Sequence, residues 1–143
     1  MTHVPPKSDC SNGGPAMTQP TVWDQGYVQV YTGNGKGKST AAFGLALRAA
    51  GAGLTVYIAQ FVKGMKYSEI VAFERFDEIT VKQYGRGCFI RNEPTAADIA
   101  AAREGLAEVR DIITSGDYNV VILDEANIAI HFKLFTVEDL LAV

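Results

Sequence analysis

The residues with the clearest chemical potential lie in a glycine-rich segment at positions 32–40, which reads TGNGKGKST. Gly37, Lys38 and Ser39 match the G-K-[ST] ending of a phosphate-binding loop, and an alanine-rich segment typical of a helix follows them. In such a loop, backbone N–H groups and the partial positive charge of the helix N-terminus bind phosphate oxygens. We therefore predict that Lys38 contacts the terminal phosphates as a catalytic group and that the hydroxyl of Ser39 holds Mg²⁺. The predicted nucleotide-binding set is Gly33, Asn34, Gly35, Lys36, Gly37, Lys38, Ser39 and Thr40.

One position of this loop departs from the general phosphate-loop pattern. The pattern places a glycine five residues before Gly37, where this chain has Thr32. A purely structural glycine turn between a strand and a helix is the alternative interpretation. A dinucleotide fingerprint that starts at Gly33 is excluded, because it requires glycine at position 38 and an acidic residue at the end of the second strand. Gln60 and Lys63 stand at the end of that strand instead.

Two acidic residues, Asp124 and Glu125, directly follow the apolar run VVIL at 120–123. Such a run is typical of a strand buried on both faces, and an acid at its end is well placed to bind a divalent cation beside the phosphates. We predict that Ser39 and Asp124 are ligands of Mg²⁺ or Mn²⁺ at this place. An apolar strand followed by an acid is a weak signal alone, and it gains its weight from the phosphate loop.

The pattern of apolar segments predicts alternating strands and helices from residue 27 onward. Strands are predicted at 27–32, 55–61, 79–84 and 119–123. Helices are predicted at 39–50, 68–76, 95–115 and from 137 onward, and the last two begin with sequences that resemble capping boxes, Thr95 with Asp98 and Thr136 with Asp139. This order predicts an α/β fold of the phosphate-loop NTPase (RecA-like) class, with a mostly parallel sheet and helices on both faces.

Length and composition limit the remaining possibilities. The 143 residues suffice for one domain, which we assign to 27–143, and a disordered tail is predicted at 1–26, where four of the five prolines lie. The only cysteines, Cys10 and Cys88, have no zinc-site spacing. No apolar run reaches the 18 residues of a membrane span and no signal peptide is visible, so we predict a cytoplasmic protein with no membrane partner.

Basic residues gather at one edge of the predicted sheet. Pairs of them follow the first three strands, and these pairs are Lys36 and Lys38, Lys63 and Lys66, and Arg86 and Arg91. The chain as a whole has a net charge of −3, which argues against a nucleic-acid partner. A local edge of cations followed by two acids predicts instead a polyanion bound together with a divalent cation. Solvated loop lysines are the alternative interpretation.

Four segments, in this order, resemble the corrinoid adenosyltransferases of the ATP:cob(I)alamin, or cob(I)yrinic acid a,c-diamide, type: TGNGKGKSTAAFGLALRAAGAG, IAQFVKG, QYGRGCFI and VVILDEANIAI. The resemblance covers residues 27–143, and Thr32 is what the family's own loop carries. It implies transfer of the 5′-deoxyadenosyl group of ATP to the Co(I) of a corrinoid, with release of triphosphate. Because cobalt is then the nucleophile, the protein would position the substrates, stabilise the leaving group and exclude water. The resemblance also implies a homodimer and a reductase that delivers electrons to cobalt.

The resemblance assigns roles to residues outside the loop. It implies that Glu125 binds Mg²⁺ or Mn²⁺ together with Ser39 and Asp124 and acts with Lys38 in catalysis. Arg48 matches a family arginine that would contact adenosine or corrinoid, unless it is only a surface charge. Gln60 and Lys63 stand where a strand end would meet the ligand. Phe89 is the candidate aromatic residue that displaces the lower axial ligand of the corrinoid, or else it packs on the core. Many family members have tryptophan in this loop, and Cys88 beside Phe89 fits a small buried apolar residue.

The family pattern continues beyond the matched segments. In related phosphate-loop folds, the strand after the acidic pair inserts between the two motif strands, and family members carry such a strand and a further C-terminal segment. We therefore expect a domain that is incomplete at its C-terminus relative to the family. Two alternatives to adenosyl transfer stay open: an ordinary NTPase or small-molecule kinase, which would release ADP, and a non-catalytic ATP-binding fragment.

Overall fold

Strands and helices alternate along the part of the chain that the computed structural model describes, residues 25–87, 90 and 93–143. In chain order the elements are α1 (Lys38–Gly51), β1 (Val56–Phe61), α2 (Ser68–Phe73), β2 (Ile79–Tyr84), α3 (Ala96–Ser115), β3 (Val120–Asp124), α4 (Ala126–His131) and α5 (Val137–Leu141). The predicted tail lies outside the described residues except for positions 25 and 26, and so do Cys88, Phe89 and Arg91.

The three strands form one parallel sheet in the order β2-β1-β3. β1 lies in the centre and all six of its residues are buried, as expected for an apolar strand with neighbours on both sides. The register pairs Gln60 of β1 with Gln83 of β2 and with Asp124 of β3. The polar residues near the ends of the three strands therefore lie side by side at the carboxyl edge of the sheet, where ligands bind in this fold class.

Helices cover both faces of the sheet, as the sequence predicts. Val56 and Ile58 of β1 form one core with residues of α1 and α2. Tyr57, Ala59 and Phe61 form the other core with residues of α3 and α4. Successive side chains of a strand point to opposite faces, so Gln60 lies on the same face as Val56 and Ile58. That face is the one covered by the helix that follows the phosphate loop.

Both predicted capping boxes are confirmed. The Thr95 hydroxyl accepts a hydrogen bond from the backbone N–H of Asp98 at 3.3 Å, and the Asp98 carboxylate accepts one from the Thr95 backbone at 2.9 Å. Hydrogen bonds from the hydroxyl and the backbone N–H of Thr95 lower the pKa of Asp98. Thr136 and Asp139 form the same pair of bonds at the start of α5. Short polar side chains thus determine where these helices begin, independently of the sheet.

The predicted first strand at 27–32 is wrong. Within the described ranges this segment pairs with no strand, Val28 is 94% exposed, and β3 pairs with β1 alone. A strand is stable only when neighbouring backbone groups satisfy its hydrogen bonds and its side chains are covered. The β-branched and aromatic composition that favours a strand here does not supply that neighbour.

The other differences from prediction concern two short helices. The helix predicted at 68–76 ends at Phe73. The short helix α4 follows Glu125 directly and is not predicted, because six residues are too few to show a helical apolar period.

Among the described residues no helix is long and apolar enough to cross a membrane.

Gly105 of α3 provides a test of how closely this helix approaches the sheet. A Cβ atom at Gly105 would lie 2.3 Å from Cγ of Tyr84. Tyr84 has little freedom to move, because its hydroxyl lies 2.7 Å from that of Tyr57 and its ring stacks on Phe61. We therefore predict that Gly105→Ala lowers the free energy of unfolding by about 1–3 kcal/mol, despite the higher helix propensity of alanine.

The matched control is Gly44→Ala in α1, where an added Cβ would meet nothing within 4 Å. This change should raise the free energy of unfolding by up to about 1 kcal/mol. Urea unfolding followed by circular dichroism measures both variants. A stabilising effect of Gly105→Ala would contradict the close packing of α3 on Tyr84.

Candidate active site

The phosphate loop at 33–37 leads directly into α1, which begins at Lys38. Gly33 and Gly37 have φ angles of 127° and 107°, a backbone conformation that residues other than glycine rarely adopt. No side chain caps the N-terminus of α1, and its first turn contains no acidic residue. The backbone N–H groups at this end of the helix are therefore suited to an anion.

Lys38 folds back over its own loop. Its Nζ donates hydrogen bonds to the carbonyl oxygens of Gly33 at 2.7 Å and Gly35 at 2.6 Å. The side chain thus spans the loop, and its ammonium group lies on the side where the loop carbonyls converge. Lys36, Asn34 and Thr40 are exposed around it.

Asp124 is the residue on which the site converges. Its Oδ1 accepts a hydrogen bond from Ser39 Oγ at 2.8 Å, and its Oδ2 accepts bonds from Gln60 Nε2 at 2.9 Å and Lys63 Nζ at 3.0 Å. The Asp124 side chain is only 7% exposed. Ser39 and Asp124 are 85 positions apart in the sequence, and the fold brings them into contact as predicted.

A row of amide side chains supports Asp124 across the sheet. Gln60 is fully buried, and its Oε1 accepts a hydrogen bond from Gln83 Nε2 at 2.9 Å. Gln83 also donates to the carbonyl oxygen of Met65 at 2.9 Å. Gln83 therefore holds the Gln60 amide, and Gln60 in turn orients the Asp124 carboxylate from the neighbouring strand. Gln83 is not predicted from the sequence, and only the alignment of β1 with β2 indicates that it lies beside Gln60.

Lys63 forms ion pairs with both acids of the site. Its Nζ lies 3.0 Å from Asp124 Oδ2 and 3.0 Å from Glu125 Oε1, and its side chain is 12% exposed. Burial lowers the pKa of Lys63, but the hydrogen bonds and negative charges of Asp124 and Glu125 outweigh burial and raise the pKa above its usual value. The lysine therefore stays cationic at neutral pH and neutralises one of the two carboxylates.

The backbone around Lys63 is strained. Val62 has a φ angle of 66°, which is unusual for a β-branched residue, and the Lys63 N–H bonds to the Phe61 carbonyl across it at 2.7 Å. The tight turn packs against Gly85, where a Cβ atom would lie 2.4 Å from the Val62 carbonyl carbon. Glu125, at the end of the neighbouring strand, has a φ angle of 61°. Strained backbone of this kind is concentrated at functional sites.

An apolar groove of about 280 Å³ adjoins the acidic side of the site. Lys63 and Glu125 form its polar rim, and Ile128 on its apolar side is 40% exposed. The remaining lining residues are Val62, Ile90 and Phe132. This composition suits a ligand with a broad apolar surface next to a charged part.

Arg48 is not brought to the loop. It lies exposed in the last turn of α1, and the ten-residue separation from Lys38 corresponds to about 15 Å along the helix. A direct contact between Arg48 and phosphates held by Lys38 is therefore excluded, while a contact with a distant part of the ligand stays a prediction. Phe89 lies outside the described residues.

The two adjacent acids differ in how much of the structure depends on them. Asp124→Ala would leave the buried Gln60 amide without its acceptor and would remove one of the two carboxylate partners of Lys63, so we predict a loss of about 1–3 kcal/mol in the free energy of unfolding. Glu125 is 28% exposed and pairs only with Lys63 among the described residues, so Glu125→Ala should cost less than about 1 kcal/mol. Urea unfolding of both variants checks this order, and equal losses would contradict the central role of Asp124.

Comparison with known proteins places this geometry in context. Corrinoid adenosyltransferases are among the relatives of the chain. The protein of this name from Pseudomonas aeruginosa is 35% identical over 121 residues, which cover 83% of this chain and 60% of the relative. The one from Escherichia coli K12 is 30% identical over 116 residues, which cover 81% of this chain and 59% of the relative. The chain thus spans less than two thirds of the length of these curated relatives.

The family comparison covers most of the described structure. The matching family is described as "ATP:corrinoid adenosyltransferase BtuR/CobO/CobP", and the match extends over residues 24–143. It includes the phosphate loop, the Ser39–Asp124 contact, the Lys63 turn and α4. Since this match spans well over half of the sequence, the chain belongs to the ATP:corrinoid adenosyltransferase family.

Proposed function

We propose that this chain binds ATP with Mg²⁺ or Mn²⁺ and that its site transfers the 5′-deoxyadenosyl group of ATP to the Co(I) of a corrinoid. In this reaction the cobalt electron pair forms a bond to the 5′ carbon, the carbon–oxygen bond breaks, and triphosphate leaves with that bond's electrons while Co(I) is oxidised to Co(III). The observation that carries the proposal is the contact between Ser39 at the start of α1 and Asp124 at the end of β3. This contact joins the phosphate loop to an acid in the arrangement that nucleotide chemistry needs.

The residues present fit a magnesium ion. Ser39 and Asp124 offer a hydroxyl and a carboxylate oxygen 2.8 Å apart, and Glu125 adds a second carboxylate nearby. Oxygen ligands of this kind, together with phosphate oxygens, are what Mg²⁺ prefers. The metal, when bound, would neutralise negative charge on the triphosphate. We assign Ser39, Asp124 and Glu125 to it.

The other residues of the site bind and position the substrates. Lys38 and the loop N–H groups of Gly33, Gly35 and Gly37 would hold the triphosphate and stabilise its charge as it leaves, which is the catalytic part assigned to Lys38. Gln60 would orient Asp124 rather than contact substrate. We assign the apolar groove to the corrinoid, whose broad apolar surface would lie beside the charged end of the site. Several expectations stay predictions. They are the role of Phe89 in displacing the lower axial ligand, the homodimer, the partner reductase, the disorder of residues 1–26 and the cytoplasmic location.

An anaerobic assay with MgATP and a Co(I) corrinoid tests this function. We expect the absorbance change of adenosylation and the release of triphosphate to appear together, with equal amounts of adenosylated corrinoid and triphosphate formed. No triphosphate should appear when the corrinoid is omitted. Release of ADP would instead favour the NTPase or kinase alternative. Binding of MgATP with neither product would contradict transfer by this chain and favour a nucleotide-binding fragment.

Lys38→Met tests the phosphate loop separately from the reaction. A hydrogen bond to a charged group contributes about 1.5–3 kcal/mol, so the variant should bind ATP at least about tenfold more weakly. Lys82→Met is the matched control, because Lys82 lies on β2 and forms an ion pair with Glu108, with 2.6 Å between Nζ and Oε2. Isothermal titration of ATP into each variant measures the effect. Equal affinities of Lys38→Met and Lys82→Met would show that Lys38 does not contact the triphosphate.

A further inference from the structure

We propose that Lys63 is an internal competitor for the divalent cation, so that Asp124 and Glu125 bind the metal tightly only when a triphosphate accepts the Lys63 ammonium in exchange. The proposal rests on the metal site assigned above. It makes Lys63 the residue that determines metal affinity and links metal binding to nucleotide binding.

The contacts of Lys63 carry this inference. Its Nζ lies 3.0 Å from an oxygen of each acid and so occupies the space between Asp124 and Glu125. A divalent ion held by both acids would need the same region, because metal–oxygen distances are shorter than these ion-pair distances. Two cations at one position repel each other strongly when the site is largely buried. Metal binding to both acids therefore requires the ammonium to move.

The position of Lys63 is determined by its backbone. The left-handed Val62 and the Lys63–Phe61 hydrogen bond turn the chain sharply at the end of β1. The close contact of this turn with Gly85 leaves no room for a side chain at position 85. A β-branched residue persists in such a conformation only where the surroundings impose it. The turn thus directs Lys63 toward the acids of β3 rather than along the path of β1.

The ammonium has a suitable second position. Lys63 binds Oδ2 of Asp124, while Ser39 at the phosphate loop binds Oδ1 of the same carboxylate. A triphosphate held by the loop would therefore lie across that carboxylate, within reach of a long lysine side chain with three rotatable donors. In the exchange the acids lose an ammonium and gain a metal ion, and the ammonium loses carboxylates and gains phosphate oxygens. Both acids and the ammonium therefore have a partner of opposite charge after the exchange.

Binding of Mn²⁺ without nucleotide tests the proposal directly, with free Mn²⁺ counted by electron paramagnetic resonance on the whole chain. Lys63→Met should bind Mn²⁺ at least about tenfold more tightly than the unmodified chain, which is the lower range of effects for residues around metal ligands. Lys66→Met is the matched control and should leave the Mn²⁺ affinity unchanged, because Lys66 pairs with Glu74 instead. Asp124→Asn added to Lys63→Met should abolish the gain.

A second measurement separates this role from a merely structural one. At saturating Mg²⁺, Lys63→Met should bind ATP more weakly than the unmodified chain. If Lys63 only held β1 to β3, its replacement would lower the affinity for Mn²⁺ as well as the affinity for ATP. An unchanged or weaker Mn²⁺ affinity in Lys63→Met, or a gain that survives Asp124→Asn, overturns the proposal. If thermal unfolding shows that Lys63→Met does not fold, Lys63→Gln applies the same criteria with a neutral hydrogen-bond donor retained.

The Mn²⁺ titration contains neither ATP nor corrinoid, so its result is independent of the adenosyl-transfer assay. Failure of the competition with normal triphosphate release would refute the role of Lys63 and leave the proposed function intact. A tenfold gain in Mn²⁺ affinity without triphosphate release would support the role of Lys63 and refute the proposed adenosyl transfer by this chain.

Discussion

The buried carboxylate of Asp124 is the constraint on which the rest of the site depends. A buried charge is costly unless hydrogen bonds and opposite charges satisfy it. Its three donors come from different parts of the chain, namely the start of α1, the interior of β1 and the turn after β1. These segments must be in register for the carboxylate to be satisfied. The requirement of one acid therefore couples the phosphate loop to the sheet.

Sequence reasoning works best where the chemistry is local. The phosphate loop predicts its own turn through glycines at left-handed positions, and the polar pairs at Thr95 and Thr136 predict where two helices begin. Ser39 and Asp124, both predicted to hold the cation, also lie in contact, although the strand expected to bring the loop to the sheet edge does not form; α1 packs on the sheet and places its first turn beside the end of β3. The loop turn and the two capping boxes need only a few neighbouring residues, and the structure confirms them.

The features that sequence reasoning missed depend on contacts between distant segments. The support of Asp124 by Gln60 and Gln83 follows from the alignment of three strands, which no single segment encodes. The strand predicted at 27–32 has suitable composition but no neighbour, and composition cannot supply one. The turn at Val62 is contrary to the usual preference of valine, and it is imposed by the close approach of Gly85.

The cluster of basic residues at the sheet edge has a different meaning in three dimensions than in the sequence. Among its lysines, Lys38 binds loop carbonyls, Lys63 binds Asp124 and Glu125, and Lys66 binds Glu74. Three of the six predicted cations thus already have partners, and two of these are paired with acids. A triphosphate would bind here by replacing existing partners, and the affinity then reflects the difference between two sets of contacts. Such an exchange favours a ligand that brings its own cation, because the acids released by the lysine are then paired again.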